Sequence, residues 1–156
     1  MDLALLYNPT SQSFDLALVG ADLARDDTLA TAVLTSLLCD RLAQAHEVGA
    51  GADRRGWWAD AFDTSTSAYL FGSRLWLLER EKQTSATMQR CKAYVQEALQ
   101  WIIDDGLATS ITVAVFAPRM GWLVAQVEMA VAGQVRRYRF EWDDAAQVWR
   151  LAGEAA

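Results

Sequence analysis

Ile111-Thr112-Val113-Ala114-Val115-Phe116 alternates its side chains with a period of two, the spacing of a strand that buries one face. Pro118-Arg119-Met120-Gly121 then supplies a turn, and residues 122–132 read as a second strand. After a tight turn at Gly133-Gln134, a third strand over 135–142 sends Tyr138, Phe140 and Trp142 to one side. Arg137, Arg139 and Glu141 go to the other. Asp143-Asp144 turns once more before a short last strand, Val148-Trp149-Arg150-Leu151. Consecutive strands joined by tight turns make an antiparallel sheet, here of three to four strands.

Upstream the period changes to that of a helix. Met88, Cys91, Val95, Ala98/Leu99 and Ile102 share one face of a segment over 86–105, with Thr84 or Ser85 placed to cap its start. Gly106 supplies the left-handed stop. A shorter helix is predicted to open at Gly72-Ser73-Arg74 and to contain Leu75, Trp76, Leu77 and Leu78. Residues 46–66 read as irregular. Before them, Asp26-Asp27-Thr28 can cap a helix running to Arg41 or Leu42. Two apolar runs, 2–6 and 14–19, flank the turn formers Asn8 to Ser13 and read as a β-hairpin. The expected order is ββ-α-α-α-ββββ, an α+β fold with an N-terminal β-hairpin, three helices and a C-terminal antiparallel sheet. One domain is expected over 1–156.

The composition narrows the function. The chain has 14 basic against 20 acidic residues, a net charge of −6, so gripping nucleic acid through phosphate neutralisation is not expected. No apolar run is long enough to span a bilayer and no signal segment opens the chain, so neither a membrane partner nor export is expected. Cys39 and Cys91 stand far apart and fall on the apolar stripes of predicted helices, which suggests two buried free thiols rather than a metal site or a disulfide. Seven tryptophans is a large number for 156 residues, and such side chains fill cores or anchor interfaces.

The search for chemistry yields little. His46 is the single histidine, and no nucleophile elbow or phosphate-binding glycine loop accompanies it. Glu47, Asp53, Asp60 and Asp63 lie in the irregular middle, where a carboxylate pair could flank a glycosidic bond with Trp57 and Trp58 stacked on sugar. That alternative is a lysozyme-like peptidoglycan hydrolase acting through Asp60 or Glu47, or else a glycan-binding module that engages glycans beside its tryptophans without turnover. The segment Arg54-Arg55-Gly56-Trp57-Trp58-Ala59-Asp60 points elsewhere. Adjacent residues of an extended chain face opposite ways, so one of the tandem indoles should meet something other than its own core.

Taken in order, several segments resemble the small baseplate wedge protein of Mu-like phages with contractile tails. They are Asp15-Leu16-Ala17-Leu18, Gly20-Ala21-Asp22-Leu23-Ala24, Leu29 to Leu37, Asp40-Arg41, Asp53 to Asp60, Gly72 to Leu78, Arg80 to Thr84, Glu97 to Ile102 and Asp105-Gly106. The Arg-Gly-Trp-Trp and Gly-Ser-Arg-Leu-Trp pieces are the most distinctive.

The resemblance implies a structural, non-enzymatic subunit with no cofactor and no metal, bound to larger wedge proteins. It would sit in the tail baseplate of the virion after assembly in the host cytoplasm. A more distant similarity, to sheath-initiator proteins of the baseplate core, implies contact with tail sheath or tube proteins and templating of the first sheath ring by strand pairing. Sheath initiators carry Glu-Pro-Arg at the helix-to-strand junction, where this chain has Leu107-Ala108-Thr109. On this reading Arg54, Arg55, Trp57, Trp58 and Asp60 contact a larger wedge protein, with Arg74 and Trp76 in support. The edges of the C-terminal sheet form a second candidate contact.

Overall fold

The computed structural model describes residues 2–8, 13–26, 28–62, 70–79, 81–143 and 148–154. It divides into two compact units, Met1–Thr35 and Ser36–Ala156.

In the first unit, three short antiparallel ribbons meet. β1 (Asp2–Leu3) pairs with β6 (Arg25–Asp26), β2 (Leu5–Asn8) with β3 (Ser13–Leu16), and β4 (Leu18–Val19) with β5 (Asp22–Leu23). The expected hairpin is therefore present as β2–β3, with its turn residues 9–12 outside the described set. The run 14–19 divides at Ala17. There the backbone joins a ring of three hydrogen bonds: Ala4 N to Ala24 O at 2.9 Å, Ala24 N to Ala17 O at 2.8 Å, and Ala17 N to Ala4 O at 2.9 Å.

α1 (Ala30–Leu38) follows. Asp26 Oδ1 accepts from the Thr28 amide at 2.8 Å and hydroxyl at 2.7 Å, and its Oδ2 accepts from Thr31 N at 2.6 Å. Burial alone would raise this carboxyl, but those donors outweigh it and hold it below the ordinary range. Asp27, the other expected cap, lies outside the described residues. The helix ends before the expected Arg41 or Leu42. Asp40 leaves it to form a parallel bridge with Ser73, and the Arg41 amide donates to Ser73 O at 2.8 Å instead of to a helical carbonyl.

The second unit packs α2 (Ser85–Asp104) on a four-stranded sheet of order β10-β9-β8-β7. These strands are β7 (Ser110–Arg119), β8 (Trp122–Val131), β9 (Gln134–Asp143) and β10 (Val148–Glu154), all antiparallel. Thr84 caps α2 as its sequence suggests, accepting from Thr87 N at 3.1 Å. Cys91, Val95, Leu99 and Ile102 are fully buried on the helix, and Val127, Tyr138 and Phe140 on the sheet. The β8–β9 connection is a two-residue turn, Ala132 and Gly133, both at positive φ (48° and 79°). On the other side of the sheet, Arg137 pairs with Glu128 at 2.9 Å and Arg139 with Glu141 at 2.8 Å.

Two expectations need correction. The described residues hold two α-helices rather than three. Leu75–Leu78 forms only a single 3-10 turn, because four residues do not repay the cost of nucleating an α-helix and no side chain caps its start. The thiols also differ from each other. Cys91 is enclosed, with burial pushing its thiol up to about 12, whereas Cys39 is exposed because α1 ends just before it.

Candidate docking surface

The segment from Asp53 to Phe62 is pinned along its first half and open along its second. Arg54 answers Ala43 twice, its carbonyl accepting from Ala43 N at 3.0 Å and its Nε donating to Ala43 O at 2.6 Å. Gly56 (φ +104°) follows where the chain passes over Leu42; a Cβ there would stand 2.9 Å from Leu42 Cβ. The Arg55 amide donates to Asp53 Oδ1 at 2.9 Å, and its guanidinium reaches Asp40 Oδ2 at 2.9 Å and Glu79 at 3.4 Å. That guanidinium also lies 4.5 Å above the Trp76 ring. Burial lowers the pKa of Arg55, and its two carboxylate partners more than reverse that.

Trp76 and Arg74 face inward. Trp76 Nε1 donates to Arg41 O at 2.9 Å. Arg74 donates to Glu47 Oε1 at 2.6 Å and to Glu97 Oε2 at 2.8 Å, and stacks 4.6 Å above Tyr94. The Tyr94 hydroxyl donates to the same Glu47 oxygen at 3.2 Å. Burial raises the Glu47 carboxyl, but the Gln44 amide, Arg74 and Tyr94 together bring it below its ordinary value. A carboxyl held ionised in this way is tuned in the wrong direction for a general acid. The two residues thus tie the segments around 41, 47, 74 and 97 together.

Beyond Gly56 the side chains turn outward. Trp57 is 47% exposed, Trp58 72% and Phe62 77%. A 3-10 turn, Trp58–Phe62, brings Trp58 and Phe62 edge to face at 5.9 Å, while Trp57 touches Trp58 at 5.9 Å and Phe71 at 5.3 Å. Aromatic rings in mutual contact yet open to water form an apolar surface with fixed geometry. Asp60 braces the turn. Its amide donates to Trp57 O at 3.1 Å and its Oδ1 accepts from Phe71 N at 3.4 Å. Its Oδ2 is buried without a partner among the described residues.

The seven residues singled out from sequence therefore separate into two groups. Trp57 and Trp58 form the exposed surface. Arg54, Arg55, Asp60, Arg74 and Trp76 hold the surrounding backbone through internal partners. Phe62 and Phe71 join the cluster without having been singled out. Phe62 stands four residues after Trp58, a helical interval that a reading of 46–66 as irregular passes over. Among the described residues no group of three or more histidine, cysteine or carboxylate side chains is arranged to hold a metal, and His46 lies exposed in a turn. Asp63 lies outside the described residues.

Residues 29–136 match the model of the family described as phage protein GP46. The chain is similar to the baseplate protein gp46 of Escherichia phage Mu, 37% identical over 143 residues, which span 90% of this chain and 94% of that protein. It is also similar to the Mu-like prophage FluMu protein gp46 of Haemophilus influenzae, 31% identical over 144 residues, or 90% and 97% of the two chains.

Proposed function

The chain belongs to the phage protein GP46 family, and from that premise we propose that it is a structural subunit of the baseplate wedge of a contractile phage tail. It binds a larger wedge protein through Trp57, Trp58 and Phe62 and has no catalytic task. It acts in the virion tail after assembly in the host cytoplasm. The observation that carries the docking assignment is the contrast within one loop. Arg54 and Arg55 are locked to Ala43, Asp40 and Glu79, while Trp57 and Trp58, just beyond Gly56, present large rings to water. A preorganised aromatic patch of this kind binds without the entropy cost of ordering a loop.

The edges of the sheet extend the reading. Among the described residues, β7 and β10 each leave one side without a neighbouring strand, and a strand from the sheath could pair there. Pro118 has no N–H to offer, and the β7 pairing is irregular between Phe116 and Arg119. β10 also shifts register between Leu151 and Gly153, which leaves its first part and the segment of β7 before Phe116 as the better acceptors. A complex with both edges in solvent rejects this part.

The decisive experiment is tail assembly with Trp57→Ala and Trp58→Ala. Both variants should fold, with unfolding midpoints close to that of the parent, and incorporate at least tenfold less well into tails. A buried aromatic anchor typically contributes about 2 kcal/mol or more to an interface. Normal tails built from the double variant would remove the assignment.

A further inference from the structure

The first unit carries an interaction surface of a different character. Thirty-five residues bury little, and among those described apolar burial is confined to Ala17 and to α1, while the strands leave their aliphatic side chains open: Leu6 is 60% exposed, Leu18 69% and Val19 71%, with Leu16 and Leu23 also exposed. Single exposed aliphatics are ordinary. Here they follow a pattern set by strand register. Leu18 stands opposite Leu23 across the β4–β5 ribbon, while Val19 stands opposite Asp22. Successive residues of a strand face opposite ways, so Leu18 and Leu23 share an aliphatic face while Val19 and Asp22 share the other, and Leu18 and Val19 both stand open to water. The β2–β3 ribbon repeats the aliphatic–aspartate pairing, with Leu6 opposite Asp15.

Charge identifies what would cover it. Residues 1–35 contain Asp2, Asp15, Asp22, Asp26 and Asp27 against Arg25 alone, a net of −4 within a chain of net −6. A second copy of the unit would bring like charge to like, and nucleic acid or an anionic membrane would be repelled. We infer that the N-terminal unit is a docking arm whose β4–β5 ribbon inserts into an apolar cleft, rimmed by lysine, on a different protein of the baseplate. The inference rests on baseplate membership but not on the tryptophan patch. A cleft suits both sides of the ribbon, its apolar wall taking the Leu18–Leu23 face and its basic rim lying beside Asp22 on the face that Val19 shares. The ring of hydrogen bonds at Ala4, Ala17 and Ala24 fixes the backbone from which the ribbon projects.

The test uses purified tails and a zero-length carbodiimide, which couples carboxylates to lysines. Asp15 and Asp22 should be joined to lysines of another tail protein. The full-length double variant Leu18→Ser with Val19→Ser should fold with an unchanged unfolding midpoint and enter tails at least tenfold less well. Links only to Lys82 or Lys92, whether of the same chain or of a second copy, would overturn the inference. So would normal incorporation of a folded double variant, or an absence of links from a chain that is present in the tails. Absence of the chain from tails would instead overturn the baseplate reading beneath it.

Discussion

Arg74 Nη1 donates to Glu47 Oε1 at 2.6 Å across 27 positions of sequence, with side-chain exposures of only 15% and 13%. The pair joins the loop after α1 to the segment before α2, and Glu97 on α2 closes the network through Arg74 Nη2. Removing one partner leaves the other desolvated and uncompensated. Arg74→Ala should therefore lower stability by about 2 kcal/mol, between the typical costs for a surface pair and a fully buried one. Urea denaturation followed by tryptophan fluorescence measures this. A loss under about 0.5 kcal/mol, the scale of ordinary surface substitutions, would mean that the network is not a structural tie.

Acid should loosen the same region. Glu47 is held below its ordinary pKa, so the folded chain binds fewer protons than the unfolded chain as pH falls through the carboxylate range. Its contribution is complete above the unfolded-state value and disappears as pH drops through the folded-state value. Stability should decline below about pH 4.5, the usual carboxylate region. Glu47→Gln should start lower and decline less. A slope identical in the two proteins would contradict the assignment.

Much of this architecture is legible in the residues, and the exceptions have physical causes. The alternation in Ile111 to Phe116 and the face shared by Tyr138, Phe140 and Trp142 identify the sheet because burial on one side imposes the period. Thr84 and Gly106 mark the ends of α2 because both signals are local. The end of α1 is not local: Asp40 turns away to bridge Ser73, thirty-three positions on. Leu75 to Leu78 has a helical composition but too few residues to close α-helical turns. In the candidate docking segment, the tandem tryptophans are conspicuous, yet nothing in the chain's order announces that Arg74 meets Glu47 and Tyr94.

The two thiols should separate cleanly. Cys39 is exposed, with its thiol raised by partial burial and by neighbouring Asp40, whereas Cys91 has no exposed surface and is raised to about 12. A thiol-specific reagent at mildly alkaline pH should modify Cys39 in the folded protein, and Cys91 only after denaturant is added. Mass spectrometry of the peptides reads the outcome, and equal labelling under native conditions would contradict the buried position of Cys91.

Two glycines with the same sign of φ should respond differently to alanine. Gly72 (φ +91°) lies where Ser73 meets Cys39, and a Cβ there would fall 2.5 Å from Cys39 O. That oxygen already accepts from Ser73 N at 2.9 Å, so backbone rather than a flexible side chain would have to give way. Gly106 (φ +71°) has nothing within 4 Å of the same added atom. Gly106→Ala should thus cost only the left-handed conformation, about 1–2 kcal/mol. Gly72→Ala adds displacement of the Asp40–Ser73 bridge and should cost about 3 kcal/mol or more. The displacement should reach the candidate docking surface too, because Asp40 is the carboxylate that holds Arg55 at 2.9 Å, immediately before Gly56 and the tryptophans. Gly72→Ala should therefore weaken tail assembly even at temperatures where it stays folded, whereas Gly106→Ala should not. Equal stability losses in the two variants would show that the Gly72 crossing relaxes freely and does not hold the aromatic loop in place.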